Sequence, residues 1–479
     1  MTELHKNLIN GEWVGGEGSE NINPSNTNEV VGLYARATAE DTKAAIAAAK
    51  AAFPGWARSG ILERHNVLRK TAEEIRARSD ELGTLLSREE GKTKPEGVGE
   101  VMRAAQIFDF FAGEALRLTG EMVPSVRPGL GVEITREPVG VVGVITPWNF
   151  PIAIPAWKIA PAICYGNTVV LKPADLVPGS SWAIVDILHR AGLPKGVLNL
   201  VMGKGSVVGQ AILDSEDVDA LTFTGSVGTG KRVAEASVKL MRKFQLEMGG
   251  KNPTVVLDDA DLKVAVETVT QSAFFSTGQR CTATSRVIVT EGIHDKFVEA
   301  LSERIRHLKV GDAIAQGTEI GPVVDQSQLK QDIDYIEIGE KEGAKLVVGG
   351  DLVHHDTPGF FLRPALFVEA HNNMRIAREE IFGPVAAVIR VKDYDEALAT
   401  ANDTEFGLTA GIVTTSLKYA THFKRNAETG MVMVNVPTAG VDFHVPFGGT
   451  KGSSYGPKEQ GKYANEFFTQ VKIAYTAAG

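Results

Sequence analysis

Only two cysteines, Cys164 and Cys281, occur in the 479 residues of this chain. That scarcity excludes a disulfide framework and leaves no set of thiols for a cysteine-rich zinc site, so a reducing, cytoplasmic location is expected. Positive charge is not in excess either. The 50 lysines and arginines face 59 acidic residues, for a net charge of −9, so no general field draws the chain to nucleic acid. Long apolar runs are also missing. No window reaches the ~18 uninterrupted apolar residues of a membrane span, and MTELHKNLINGEWVGG has no signal-peptide core. Repeats and low-complexity stretches are absent. What remains is an average globular composition, 43% hydrophobic and 23% charged. At ~150 residues per domain, that is two or three domains' worth of chain with a sizeable core.

After a short N-terminal strand region, residues 39 to 53 carry apolar positions at helical spacing behind a threonine cap, and residues 61 to 119 continue in that style. From Pro138 the pattern changes. Short β-branched runs in VGVVGVITPWNFP, NTVVLKPA, VLNLVMG and ALTFTGS alternate with the helical segments AIPAWKIAPAICYG and SSWAIVDILHRAG. A second series starts at NPTVVLDD and runs through SRVIVTE, HDKFVEALSERIRHL, AKLVVGG, AAVIRV and GIVTTS to MVMVN. Such alternation predicts parallel sheets of βαβ units, and two series predict two α/β domains. Their boundary is expected near Met248, where LEMGGKNP puts a glycine pair and a proline between strand-like runs. Residues 118 to 137 and the tail FFTQVKIAYTAAG fall outside both series. Each reads as an extended strand with an exposed apolar face, which pairs with another element or another subunit.

Cys281 lies in FFSTGQRCTATSRVIV, after a glycine-containing turn and directly after Arg280. A free thiol has a pKa of about 8.5 and needs a nearby cation, dipole or base to be a good nucleophile near neutrality. A lone cysteine is more often a small buried hydrophobe, and Cys164 in PAICYG reads that way. Glu247 ends the run KFQLE just before Gly249 and Gly250. Strand ends facing a crevice are where α/β enzymes place catalytic groups, although a solvated boundary glutamate fits the same local pattern. Asn149 follows a buried strand, so its amide is placed either as a donor in that crevice or as an ordinary turn residue. Lys172 and Asp175 end one strand, and Gly225 and Ser226 end another just before a helix. A helix N-terminus entered through glycine is a ready phosphate site. The glycines at 225, 228 and 230 do not form G-x-G-x-x-G, and Ser226 also suits a simple helix cap.

Seven motifs in order, TPWNFP at 146 to 151, LKPA at 171 to 174, FTGS at 223 to 226, LEMGGKNP at 246 to 253, GQRC at 278 to 281, EEIFGPV at 379 to 385 and PFGG at 446 to 449, resemble the aldehyde dehydrogenase superfamily over essentially the whole chain. The resemblance implies an α/β fold with a Rossmann-type cofactor domain over 1–117 and 138–247, an α/β catalytic domain over 248–453, and oligomerisation strands at 118–137 and 461–479. It implies Cys281 as nucleophile, Glu247 as general base, and the Asn149 side chain with the Cys281 backbone N–H as oxyanion hole. Lys158 and Glu459 would relay protons. Thr146, Pro147, Trp148, Lys172, Asp175, Gly225, Ser226, Glu380 and Phe382 would hold the cofactor, while Phe150, Trp157, Phe275, Arg280 and Phe447 would surround the aldehyde. No metal is called for. The implied reaction is NAD(P)-dependent oxidation of an aldehyde to a carboxylic acid through a thiohemiacetal and a thioester, by a homodimer or homotetramer.

Family members that prefer NAD usually carry glutamate where this chain has Asp175, whose shorter carboxylate excludes a 2′-phosphate less firmly. With Lys204 in MGKGS able to reach the same end of the cofactor, both NAD and NADP are expected, with the balance toward NADP. At finer grain, KPADLVPGSSWAIVDILHRAGLPKGVLNLVMG, GQRCTATSRVIVTEGIHDKF and PFGGTKGSSYGPKEQGKYA resemble the bacterial 2,5-dioxovalerate (α-ketoglutaric semialdehyde) dehydrogenases. Arg280 beside the nucleophile is then expected to pair with the far carboxylate of a short semialdehyde, a structural partner for that arginine being the other reading. The alternatives are a broad-range or succinic semialdehyde dehydrogenase, and a non-catalytic protein on the same fold. The last would be expected to lose Cys281, Glu247 or Asn149, and all three are present.

Overall fold

The computed structural model describes residues 3–477, so residues 1, 2, 478 and 479, at the ends of the expected domain ranges, lie outside the described residues. Strands such as Val141–Ile145, Thr168–Lys172 and Ala220–Thr224 are buried along nearly their whole length. Continuous apolar runs of that kind are what a parallel sheet with both faces covered requires. The first large sheet has eight strands in the order Ser454–Tyr455, Lys243–Glu247, Ala220–Thr224, Val141–Ile145, Thr168–Lys172, Leu198–Leu200, Asn7–Ile9, Glu12–Val14. Its five central strands pair in parallel, and antiparallel strands close both ends.

The chain runs outward from Val141–Ile145 to Leu198–Leu200 and then returns to lay Ala220–Thr224 on the other side of the first strand. That reversal opens a crevice beyond the carboxyl ends of Val141–Ile145 and Ala220–Thr224. The loops leaving these two strands are Thr146–Asn149 and Gly225–Ser226. A second sheet of seven strands, with Asn252–Val256, Thr284–Thr290, Val385–Val391 and Thr409–Val413 at its centre, is parallel except for the edge strand Lys345–Val348. The segments entering its strands, around Cys281 and Glu380, face the crevice of the first sheet.

The helix Ala39–Ala57 opens at Thr38, whose hydroxyl caps it in a reciprocal box with Asp41. The helix Lys94–Ala115 packs Val101, Ala104, Phe108 and Phe111 into the core of the first domain. Burial of each large apolar side chain contributes about 1.5–3 kcal/mol, which fixes the rotation of this helix and therefore where its polar residues point.

Thr469–Ala477 pairs antiparallel with Leu130–Pro138, which pairs in turn with Glu121–Pro124, in a small three-stranded sheet. Met122, Val471, Ile473 and Tyr475 are exposed on it. The expected strand over 461–479 is shorter in the structure. Lys462–Ala464 and Asn465–Phe468 are helical turns, because Ala464, Phe467 and Phe468 are drawn into the core of the first domain. Among the described residues no helix is long and apolar enough to cross a membrane.

Candidate active site

Cys281 follows a turn, Phe275–Gly278, in which Ser276 and Thr277 both adopt left-handed backbone conformations with φ of 52° and 56°. Each such residue stores about 1–3 kcal/mol of strain and persists only if its surroundings hold it. Here they do. The Ser276 N–H and hydroxyl both donate to Glu96 Oε1, at 2.8 and 3.0 Å, and the Thr277 hydroxyl donates to the Gly321 carbonyl at 3.1 Å. Gly278, at φ +66°, has no room for a side chain, because a Cβ would fall 2.3 Å from the Gly383 carbonyl oxygen. On the other side of the thiol, Asn252 Nδ2 donates to the carbonyls of Cys281 and Ala283 at 2.7 and 2.9 Å. Burial, and next the carboxylates of Glu247 and Glu380, push the Cys281 thiol up to about 12. Cys164 is a buried core residue.

Asn149 is buried, and its Nδ2 donates to the Gln279 carbonyl at 3.0 Å, which leaves a second amide hydrogen. Its own backbone carbonyl accepts from Lys92 Nζ at 2.7 Å. Glu247 ends the strand Lys243–Glu247 and is buried behind Gly448. The returning strand Ser454–Tyr455 sets the Ser454 hydroxyl on its Oε2 at 2.6 Å. Burial and the nearby Glu459 hold the Glu247 carboxyl well above the ordinary carboxylate range, with the Ser454 bond opposing them. Lys158 pairs with Glu459 inside the protein and donates to Thr222 Oγ1 at 2.7 Å, while Glu459 Oε2 stays buried without a partner.

Two cavities meet at Cys281 and Ile154, which line both. One, of about 260 Å³, is bounded by Pro147, Trp148, Gly225, Ser226, Glu380 and Phe382. Trp148 and Phe382 meet edge to face with centroids 5.3 Å apart. Glu380 accepts from the Gly250 N–H at 2.9 Å and is pushed by burial up to about 7. Several features of this cavity suit a dinucleotide. Thr224 Oγ1, in its lining, is buried without a partner, while Thr146, expected here, has an unpartnered hydroxyl but does not line the cavity. Ser226 caps the helix Val227–Lys239, whose N-terminus opens here. Gly249 lies so close to Glu380 that a Cβ would sit 2.0 Å from its carboxylate. Lys172 and Asp175 do not line this cavity; they end the neighbouring strand Thr168–Lys172 and its loop, ion-paired at 3.2 Å with Asp175 exposed, and Lys204 is exposed just before the helical turn Gly205–Gly209.

The other cavity, of about 280 Å³, has an aromatic wall of Phe150, Trp157 and Phe447, the last two stacked at 5.4 Å. Two expectations for this side change. Phe275 does not line it; the left-handed turn sends that ring against the core of the second sheet and brings Ser276 to the cavity instead. Arg280 does line it, but its Nη2 is bound to Glu96 at 2.9 Å and Ser276 Oγ at 2.8 Å, so its charge is already compensated and it braces the strained turn. The sequence reading missed the residues that give this cavity its charge, Lys92, Glu96, Glu100 and Arg103. A signal was present, since positions 96, 100 and 103 recur at one-face helical spacing beside an apolar flank.

The aldehyde dehydrogenase family model matches residues 13–474. A Bacillus subtilis protein named alpha-ketoglutaric semialdehyde dehydrogenase is 45% identical over 98% of this chain and 97% of its own length. Among solved structures, betaine aldehyde dehydrogenase from Staphylococcus aureus in complex with NAD+ superposes with a TM-score of 0.96 at 34% identity, covering 99% of this chain and 95% of that one. An NADP-dependent enzyme of E. coli superposes with a TM-score of 0.95 at 36% identity, covering 99% of this chain and 98% of that one.

Proposed function

The chain belongs to the aldehyde dehydrogenase family, and from that premise we propose that it oxidises 2,5-dioxovalerate to 2-oxoglutarate with NAD or NADP. The observation that carries the reading is that a single thiol, Cys281, forms the common wall of two cavities. A group placed in one can exchange a hydride with a carbon bound to that thiol from the other. The substrate assignment is supported by the 45% identical Bacillus subtilis relative.

In this mechanism Cys281 Sγ adds to the aldehyde carbon, and the Asn149 amide with the Cys281 backbone N–H stabilises the alkoxide of the thiohemiacetal. One such donor is worth about 10²–10³ in rate. Pro147, Trp148, Thr224, Gly225, Ser226, Glu380 and Phe382 would hold the cofactor, and Lys172 and Asp175 would meet its adenosine end. A bound nicotinamide supplies the hydride acceptor that makes oxidation to the thioester possible. Glu247 then takes a proton from the water that cleaves the thioester; burial and the nearby Glu459 raise its basicity above that of an ordinary carboxylate. Lys158 and Glu459, coupled to Glu247 through the buried interior, pass that proton on. The exposed apolar face of Thr469–Ala477 and its neighbours suits a homodimer or homotetramer, and the unpaired thiols suit the cytoplasm.

The test is a comparison of kcat/KM for 2,5-dioxovalerate, succinic semialdehyde and pentanal with each cofactor, with the acid product identified. The highest value is expected for 2,5-dioxovalerate. Failure to reduce either cofactor with any aldehyde would overturn the reading.

A further inference from the structure

The lining of the 280 Å³ cavity holds three cations, Lys92, Arg103 and Arg280, and two carboxylates, Glu96 and Glu100. Lys92 is engaged by Glu100 at 2.7 Å, and Arg280 by Glu96 at 2.9 Å. Glu100 also accepts the backbone N–H groups of Ile152 and Ala153. Arg103 is left over. Among the described residues no carboxylate lies within ion-pair distance of it, and Glu100, then Asp442, exposed beside the cavity-lining Val441, act on it only from farther away. The guanidinium is nevertheless held in place. Its Nη2 donates to Gln460 Oε1 at 3.1 Å, and its central carbon lies 5.9 Å from the centroid of the Trp157 ring. Arg103 Nε and Trp157 Nε1 are buried donors without an acceptor, as is Arg280 Nε, so it is the missing ion-pair partner that sets Arg103 apart from Arg280. A desolvated, positioned cation without an ion-pair partner is completed by an anion brought to it.

We propose that Arg103, positioned by Gln460 and Trp157, is the specificity-determining residue that receives the far carboxylate of a short ω-oxo acid while its aldehyde carbon meets Cys281. This deepens the proposed function and rests on it. It also moves the anchor from Arg280, the sequence neighbour of the nucleophile, to a residue 177 positions earlier. A planar guanidinium offers the carboxylate two parallel N–H bonds.

The experiment compares kcat/KM for 2,5-dioxovalerate and pentanal in wild type, Arg103→Leu and Arg280→Leu, with saturating cofactor. Because only the charged substrate forms the charge-assisted hydrogen bonds, Arg103→Leu lowers the 2,5-dioxovalerate value by about ten- to a hundredfold, with pentanal changing less than about threefold. Retained pentanal turnover shows that the variant is folded. Should Arg103→Leu fail to fold, the same ratio is read in Arg103→Gln, which keeps a hydrogen bond to Gln460 without the charge. Equal losses for both substrates, an unchanged ratio, or a selective loss only in Arg280→Leu would each overturn the anchor. Absence of a wild-type preference for 2,5-dioxovalerate over pentanal would instead overturn the substrate reading on which it rests.

Discussion

The two cavities that share Cys281 are built by different means. The 260 Å³ cavity is made largely at the ends of strands, from the short contiguous runs Pro147–Asn149, Thr224–Ser226 and Met248–Gly249, closed by Gln328 and Gln331 of the helix Gln326–Lys341, with a single carboxylate, Glu380, among its lining. The 280 Å³ cavity is made from side chains of the helices Lys94–Ala115 and Ala153–Cys164 and of the loop from Ala439 to Phe447, with five charged groups and an aromatic wall. A ligand common to many proteins can be held by backbone and turns. A ligand particular to one needs side chains, and these reach the cavity from segments far apart in the chain.

The difference between the cavities vanishes most completely at their shared wall. Cys281→Ser removes the group on which both converge, and turnover is expected to fall by about four orders of magnitude or more, while Cys164→Ser, in the core, changes kcat less than about threefold. Steady-state assays on both variants decide this; comparable activity of Cys281→Ser would unseat the nucleophile. Glu247→Gln separates the half-reactions. It should release a burst of reduced cofactor and then turn over about 10²–10⁴-fold more slowly, since acylation precedes the step that needs the base. Stopped-flow absorbance reads both phases, and a steady state as fast as wild type would give the water to another base.

Ser454→Ala tests the assignment of that base more finely. The Ser454 hydroxyl favours the charged form of Glu247, so its loss raises an already elevated pKa further. Glu247 acts when deprotonated, so kcat rises with pH through its pKa, and the rising limb should move to higher pH in the variant. A profile that keeps its midpoint would place the titration elsewhere. The smallest effect is expected on the cofactor side. Asp175→Glu extends the carboxylate that Lys172 holds at 3.2 Å, and the ratio of kcat/KM with NAD to that with NADP should rise a few-fold while the aldehyde preference stays constant. A change in aldehyde preference would mean that the two cavities are not independent.

The strand-end loops were legible because their residues are contiguous. Thr146 to Asn149 and Gly225 to Ser226 leave neighbouring strands at the reversal of strand order, and the alternation of β-branched runs and helical segments already implied parallel sheets. The clamp of Asn252 on the nucleophile turn was not legible, although Asn252 lies inside a recognised motif, because nothing in LEMGGKNP shows which carbonyls its amide will meet. Phe275 was misplaced for a related reason. Two consecutive left-handed residues without glycine run against local preference, and the bonds of Ser276 to Glu96 and of Thr277 to the Gly321 carbonyl make them tenable.

Residue order alone was enough for most element types and for the two series of βαβ units, and the family resemblance singled out Cys281, Glu247 and Asn149 as candidates that the fold draws toward one crevice. Which charges compensate one another was settled only by folding in three dimensions. Ser454 reaches Glu247 across 207 positions, Glu459 reaches Lys158 across 301, and Glu96 neutralises Arg280 across 184. Arg280 looked available because it adjoins Cys281, and Arg103 looked ordinary because it sits mid-helix. In a buried site the interaction of two charges is set by their separation and by the surrounding dielectric, and neither quantity is written in sequence spacing.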